Sequence, residues 1–215
     1  VSLAQPVVAL VGLVAVHADS RDREAVWDAL QRREVYGTSG ARILLWFELL
    51  RDGAATATMG AKLDWSTKPR FRVRAVGSYE QKPGCPDFAS GGLDPSRLES
   101  LCGGECYNPG DKRHAISRLE VVRIRPQIRP GEPIDQLIED PWKTLPCSGD
   151  GRGCVAEFDD PDYEAGARDA IYYVRAVQVP TPAVNAGGLR CEPVKTEAGD
   201  VADQGTATGE GCSAV

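Results

Sequence analysis

Two histidines, His17 and His114, and seven cysteines, Cys85, Cys102, Cys106, Cys147, Cys154, Cys191 and Cys212, carry most of the chemistry this chain could perform. These residue types ligate metals, act as nucleophiles or form disulfides, and spacing separates the three roles. Cys102-x-x-x-Cys106, with Cys85 upstream and His114 downstream, has the donor types of a Cys₃His zinc set. It lacks the tight paired knuckles of common zinc motifs, and disulfides are the favoured reading. All seven cysteines follow residue 84, in segments rich in Gly and Pro rather than in apolar runs. Loop cysteines in such number point to an oxidising compartment, so a periplasmic or secreted location is expected. The segment "CSGDGRGC" holds three glycines between Cys147 and Cys154. Its backbone can bring the two Cα atoms within the roughly 4.4–6.8 Å a disulfide needs. Cys85, Cys102 and Cys106 would supply a second bridge, and Cys191 with Cys212 a third.

His17 ends an apolar run, without a second metal donor beside it, and reads as a core or rim histidine. His114, in "GDKRHAI", reads as solvated. Gly37-Thr38-Ser39-Gly40 has neither the Lys and spacing of a phosphate-binding loop nor the spacing of a nucleophile elbow. It reads as a helix C-cap and turn. "EFDDPDYE" lacks the Asp-x-Asp-x-Asp-Gly order of a calcium loop and reads as a solvated acidic turn. Arg70, Arg72 and Arg74 could meet Arg123 and Arg125 across strands and hold an anion; pairing with carboxylates is the default. No catalytic residue and no metal ligand is assigned within the chain.

The elements that would position these groups follow from periodicity. "LVGLVAVH", residues 10 to 17, is a continuous apolar run, as in a strand buried on both faces. "ADSRDREAVWDALQRRE" reads as a helix capped by Asp19 or Ser20, with Asp22 and Glu24 at the positive end of its dipole. Val26, Ala29 and Leu30 form its apolar stripe, with Trp27 at the margin, and Gly37 and Gly40 mark its exit. "RILLWFELL", "RFRVRAV", "RLEVVRIRP" and "AIYYVRAVQVP" read as strands. Phe71, Val73 and Ala75 should face inward in the second, and Val122 and Ile124 inward with Arg123 and Arg125 outward in the third. "DPSRLESLC" is a short helix. The expected fold is mainly β: a βα unit over residues 1–40, a β-sandwich with long Cys-containing loops over 41–191, and a small, acidic, disordered tail over 192–215.

The composition is that of a soluble globular chain: 215 residues, 42% hydrophobic and 26% charged, with a net charge of −6. An acidic balance argues against general nucleic-acid binding. The run from Pro6 to Val16 is shorter than the roughly 20 apolar residues that span a bilayer, and no basic stretch precedes it as in a secretory signal. The chain therefore reads as part of a longer protein.

The succession "VAVHA … REAVWDALQRREVYGTSGARI" resembles a segment of metal-dependent hydrolases of the PHP (polymerase and histidinol phosphatase) superfamily. The likeness is strongest to a bacterial branch of unassigned function and more distant to carbaryl-hydrolase-type metallohydrolases. "QKPGCP", "GECYNPGD", "EDPWKTLPC" and "YYVRAVQVPTPAVN" are similar to the same branch, so the resemblance spans residues 13 to 191. It implies that residues 1–40 complete the last βα unit of a PHP-like barrel, the rest of which is the partner of this segment. His17, Thr38, Ser39 and Arg42 would then border the mouth of the barrel's active site. The family's His-x-His and Ser-Asp-x-His motifs are absent from this sequence. The resemblance thus implies a divalent metal in the intact hydrolase, bound by residues outside this segment. The tail after Cys191 departs from the closing strand the family would have. The competing reading is a stand-alone, disulfide-stapled β-sandwich that acts as a binding module.

Overall fold

A computed structural model describes residues 12–102, 107–181, 189–191 and 212–214. The chain opens with β1 (Leu13–Val16), α1 (Arg23–Arg32) and β2 (Val35–Thr38). Two packed sheets follow, built from β3 (Leu44–Arg51), β4 (Ala54–Thr58), β5 (Arg70–Val76), β8 (Ile116–Ile124), β9 (Ile138–Pro146), β10 (Cys154–Asp159) and β11 (Ile171–Gln178). Between them lie β6 (Tyr79–Gln81), α2 (Asp87–Ser90), α3 (Pro95–Cys102) and β7 (Pro109–Arg113). β12 (Leu189–Cys191) and β13 (Cys212–Ala214) pair with each other. Three residues of the expected tail therefore form a strand; the rest of 192–215 lies outside the described residues.

All strand pairs are antiparallel. One sheet has the order β10-β5-β3-β4 and the other β11-β8-β9. Their inner faces share one core of Leu45, Phe71, Val73, Ala75 and Phe158 against Ile116, Leu119 and Val121. The alternation of "RFRVRAV" works as expected: Phe71, Val73 and Ala75 are buried. Phe71 lies 5.2 Å from Phe158 within its sheet and 4.6 Å from Tyr172 of the other, so aromatic contacts stitch the layers.

The outer face of the first sheet carries charge in register. Arg70 and Arg72 both bond Glu157, and Arg72 and Arg74 lie near Glu48. Arg123 belongs to the other sheet, so the five arginines form no common anion site.

On β8 Val122 is fully buried as expected, but the outward reading of Arg123 is corrected. Arg123 is only 4% exposed, on the core face with Val121 and Leu119. Nη1 donates to both Asp160 oxygens, at 2.8 and 2.9 Å, while Nε and Nη2 donate to Glu139 at 2.7 and 3.0 Å. The guanidinium lies 4.3 Å over the Trp142 ring. The Tyr172 hydroxyl donates to Asp160 at 2.5 Å, and the Asp162 amide adds another bond. Asp160 is 1% exposed. The acidic turn is thus not simply solvated: its second aspartate plugs into the sandwich, because a buried guanidinium requires a matching carboxylate.

The Cys147–Cys154 disulfide has a Cα–Cα distance of 5.6 Å and joins the end of β9 to the start of β10, hence one sheet to the other. In the chain-entropy model a loop this short contributes about 2–3 kcal/mol. Cys85 is also disulfide-bonded, so its sulfur is not a zinc thiolate. Cys106 lies outside the described residues. The β12–β13 register places Cys191 opposite Cys212.

Burial pushes the Asp160 carboxyl up, but the Tyr172 hydroxyl and Arg123 more than offset this, and its pKa is lowered from 3.8. A depressed carboxylate stabilises the fold above its unfolded value and loses that contribution as pH falls through the folded value. Asp160→Ala should therefore cost about 3 kcal/mol at neutral pH by leaving Arg123 poorly matched. The deficit relative to wild type should shrink below pH 3.8. Urea denaturation of both proteins across this range checks it; a pH-independent deficit would show that Asp160 acts through packing alone.

Candidate functional site

The candidate site is where the N-terminal unit meets β3. Helix α1 starts at Asp22, whose side chain accepts from the Ala25 amide at 2.8 Å. Ser20 bonds the Asp22 carboxylate, so it supports the cap rather than forming it. The helix ends at Arg33, which takes the left-handed conformation at φ 62° and returns its amide to Ala29 and Leu30. The exit therefore precedes the glycines. Gly37 and Thr38 belong to β2, which pairs back onto β1, and only Ser39 and Gly40 are in the turn. β1 is less buried than its apolar run suggests: Leu13 and Val14 are exposed, and β2 is its one strand neighbour among the described residues.

This unit docks on β3 through side chains. β4 pairs only with Glu48 to Arg51, so carbonyls near the start of β3 need other donors. His17 Nε2 bonds the Leu45 carbonyl at 2.9 Å, and the Tyr36 hydroxyl donates to the Ile43 carbonyl at 2.9 Å. The His17 ring packs 5.5 Å from Tyr36 and 6.0 Å from Trp46. Burial raises the Tyr36 pKa, which keeps the phenol protonated as a donor. Nearby, Arg33 Nε donates to the Gly60 carbonyl at 3.1 Å. Gly60 has φ +86°, and a Cβ there would lie 2.4 Å from the Arg33 carbonyl, so no larger residue fits under the helix end.

The junction leaves an open cleft of about 320 Å³, lined by His17, Asp19, Glu34, Trp46, Glu48 and Thr58, among others. Two of its three carboxylates, Glu34 and Glu48, are engaged. Glu34 bonds Arg32 and Thr58, and the Arg32 bond, foremost, lowers its pKa. Glu48 faces Arg72 and Arg74. Among the described residues no three His, Cys, Asp or Glu side chains are grouped to hold a metal.

The four residues expected at an active-site rim are not brought together. His17 follows the end of β1 that pairs with Val35, whereas Thr38 pairs with Leu13 at the other end. The offset is about 13 Å along the ribbon. Thr38 Oγ1 accepts weakly from the Gly40 amide at 3.4 Å. Arg42 stacks 3.8 Å over Tyr107. His114 is half-buried rather than solvated, and its amide donates to Ser78. Tyr36, which sequence reasoning missed, shares the docking role with His17; the alternation in "VYGT" was its one available signal.

In class, this is a mainly β protein of antiparallel sheets carrying an N-terminal helical unit docked by polar side chains. A family described as "Protein of unknown function (DUF3604)" matches residues 4–48, which takes in β1, α1, β2 and β3 as far as Glu48. No curated protein matches the chain. No solved structure matches it.

His17→Ala would strip the Leu45 carbonyl of its side-chain partner, a loss of about 1–3 kcal/mol for a group without compensation. Hydrogen exchange should show faster exchange in 13–16 and 35–38, with the sandwich strands unchanged. Unchanged exchange in those ribbon segments would show that the unit is held by other contacts.

Proposed function

We propose that this chain is the C-terminal accessory segment of a PHP-like metal-dependent hydrolase, of phosphoesterase type, that works in the periplasm or outside the cell. One observation carries this reading. The N-terminal unit is fixed to the sandwich on one side, yet leaves Val14 73% and Trp27 60% exposed, with Leu13 and Leu30 also uncovered. Apolar surface of this kind on a small docked unit suits burial against a larger domain. The family match coincides with this unit and the strand half that receives it, which supports treating docking strand and helix as one inherited piece. The disulfide is compatible with an oxidising compartment.

Among the described residues, no group of His, Cys, Asp and Glu is placed to hold a metal. His17 is occupied by the Leu45 carbonyl, and Glu34 and Glu48 by cations. On this reading the catalytic metal belongs to the preceding barrel, and this segment has a structural part in the hydrolase. A free-standing binding module is the second reading. It is favoured by the buried core cluster, whose fully buried members all lie between Leu45 and Phe158, with Tyr36 packed against them from the N-terminal unit.

The DNA upstream of Val1 separates the two. An open frame encoding His-x-His and Ser-Asp-x-His is expected; a start codon adjoining Val1 would overturn the hydrolase reading. The isolated chain should leave phosphomonoesters, phosphodiesters and carboxyl esters intact in the presence of Mn²⁺ or Zn²⁺. Turnover abolished by His17→Ala would move the active centre into this chain.

A further inference from the structure

The two packed sheets present four edge strands, β10 and β4 in one and β11 and β9 in the other. Exposed edges invite pairing with another chain, and proteins usually blunt them. β9 contains Pro141 and ends at Pro146, so it lacks two amide donors. β4 has five residues, and the register slips between Leu49 and Leu50 opposite it. β10 has six residues, is tied at Cys154 and presents Glu157 and Asp159 on its outer face. β11 is different. It runs for eight residues, "IYYVRAVQ", with no Pro, no Lys and no acidic residue, and its register is regular until Val177. Its inner face, Tyr172, Val174 and Ala176, packs on the core. Its outer face exposes Ile171 at 54% and Tyr173 at 40%. No described strand occupies its second edge.

We propose that this edge is a homodimerisation surface. A second copy adds its own β11 antiparallel about a two-fold axis at Val174, so that the two three-stranded sheets become one. The side-chain pattern selects both the occupant and the register. With the axis at Val174, Tyr173 lies opposite Arg175 of the second copy and Ile171 opposite Val177. The first is an aromatic–guanidinium pair and the second an apolar pair, each formed twice by symmetry. An axis at Arg175 would oppose two guanidinium groups; an axis at Tyr173 would set Ile171 against Arg175. Arg175 is already balanced by Asp140 and Glu120 on its own sheet, so pairing the edges does not concentrate net positive charge. Tyr172 would face Ala176, extending the inner aromatic layer across the joint. The contact is smaller than a standard stable interface, so a weak, concentration-dependent dimer is expected. This inference does not rest on the hydrolase reading.

Sedimentation velocity of the full chain over a wide concentration series tests it, with thermal unfolding of each variant as the folding control. A monomer–dimer equilibrium is expected. Tyr173→Arg opposes two cations twice and should weaken the dimer about tenfold or more, whereas Tyr173→Asp gains an ion pair with Arg175 of the second copy and should keep it. Both substitutions sit on a part-exposed outer face, so both should fold. Protection of β11 amides from hydrogen exchange should rise with protein concentration in the wild type and not in Tyr173→Arg. A monomer at every concentration, open-ended polymers, or equal effects of the Arg and Asp variants would each overturn the proposal, as would β11 protected independently of concentration by another segment of the same chain.

Discussion

A guanidinium buried between two sheets constrains nearly everything around it. Burying Arg123 without partners would cost several kcal/mol, so each neighbouring element has to supply one. β9 provides Glu139 and the Trp142 face, the turn after β10 provides Asp160, and β11 provides Tyr172 to hold Asp160 in place. β10 is consequently pinned at both ends, by Cys154 at its start and by Asp160 just past its finish. A sandwich core of alternating apolar residues tolerates small slips between its layers. Arg123 divides its fork: Nε and Nη2 grip Glu139 within its own sheet while Nη1 reaches Asp160 at the end of the other, and so it sets how the two sheets meet.

The same accounting of polar groups explains the N-terminal unit. The short β4 leaves the start of β3 without a strand neighbour on that side, and side chains of the β1–β2 ribbon provide partners there through His17 and Tyr36. The unit thus docks by polar contacts around a small aromatic patch. Such contacts are directional, and they can orient a helix with little buried area. They also commit the one imidazole of the cleft to a structural hydrogen bond, which turns a residue of catalytic type into an anchor.

The parts legible in the sequence were those governed by strict alternation or clear punctuation. "RFRVRAV" gave its buried face, "DPSRLESLC" its helix, and the glycine-rich Cys147–Cys154 loop its disulfide. β4 was overlooked although Asp52-Gly53 announces it: both residues have positive φ, as a two-residue hairpin turn of the mirror-image type needs. β9 and β10 were hidden for a different reason. Pro141 and Pro146 disguise the one, and the carboxylates of the other look like loop until arginines of the adjoining strand pair with them. Arg123 and Asp160 could not be matched from sequence at all, since 37 residues separate them and only the folded sheets bring them together. Charged residues at inward positions are read as outward unless the partner is known. The separation of His17 from Thr38 was not legible either, because Val35–Thr38 folds back as a strand where the residue types suggest a turn.

What these arrangements share bears on where function can reside. The engaged groups at the junction, His17, Glu34 and Glu48, spend hydrogen-bonding capacity inside the chain. Surfaces show the reverse pattern: Trp27 and Val14 on the N-terminal unit, and Ile171 and Tyr173 along β11, are apolar where solvent would favour polar residues. Scattered exposed apolar residues need no explanation, but these two groups lie on ordered elements with regular backbone. A strand or helix already held in register loses little entropy when its apolar face is covered, so such faces favour burial against another surface over exposure to water.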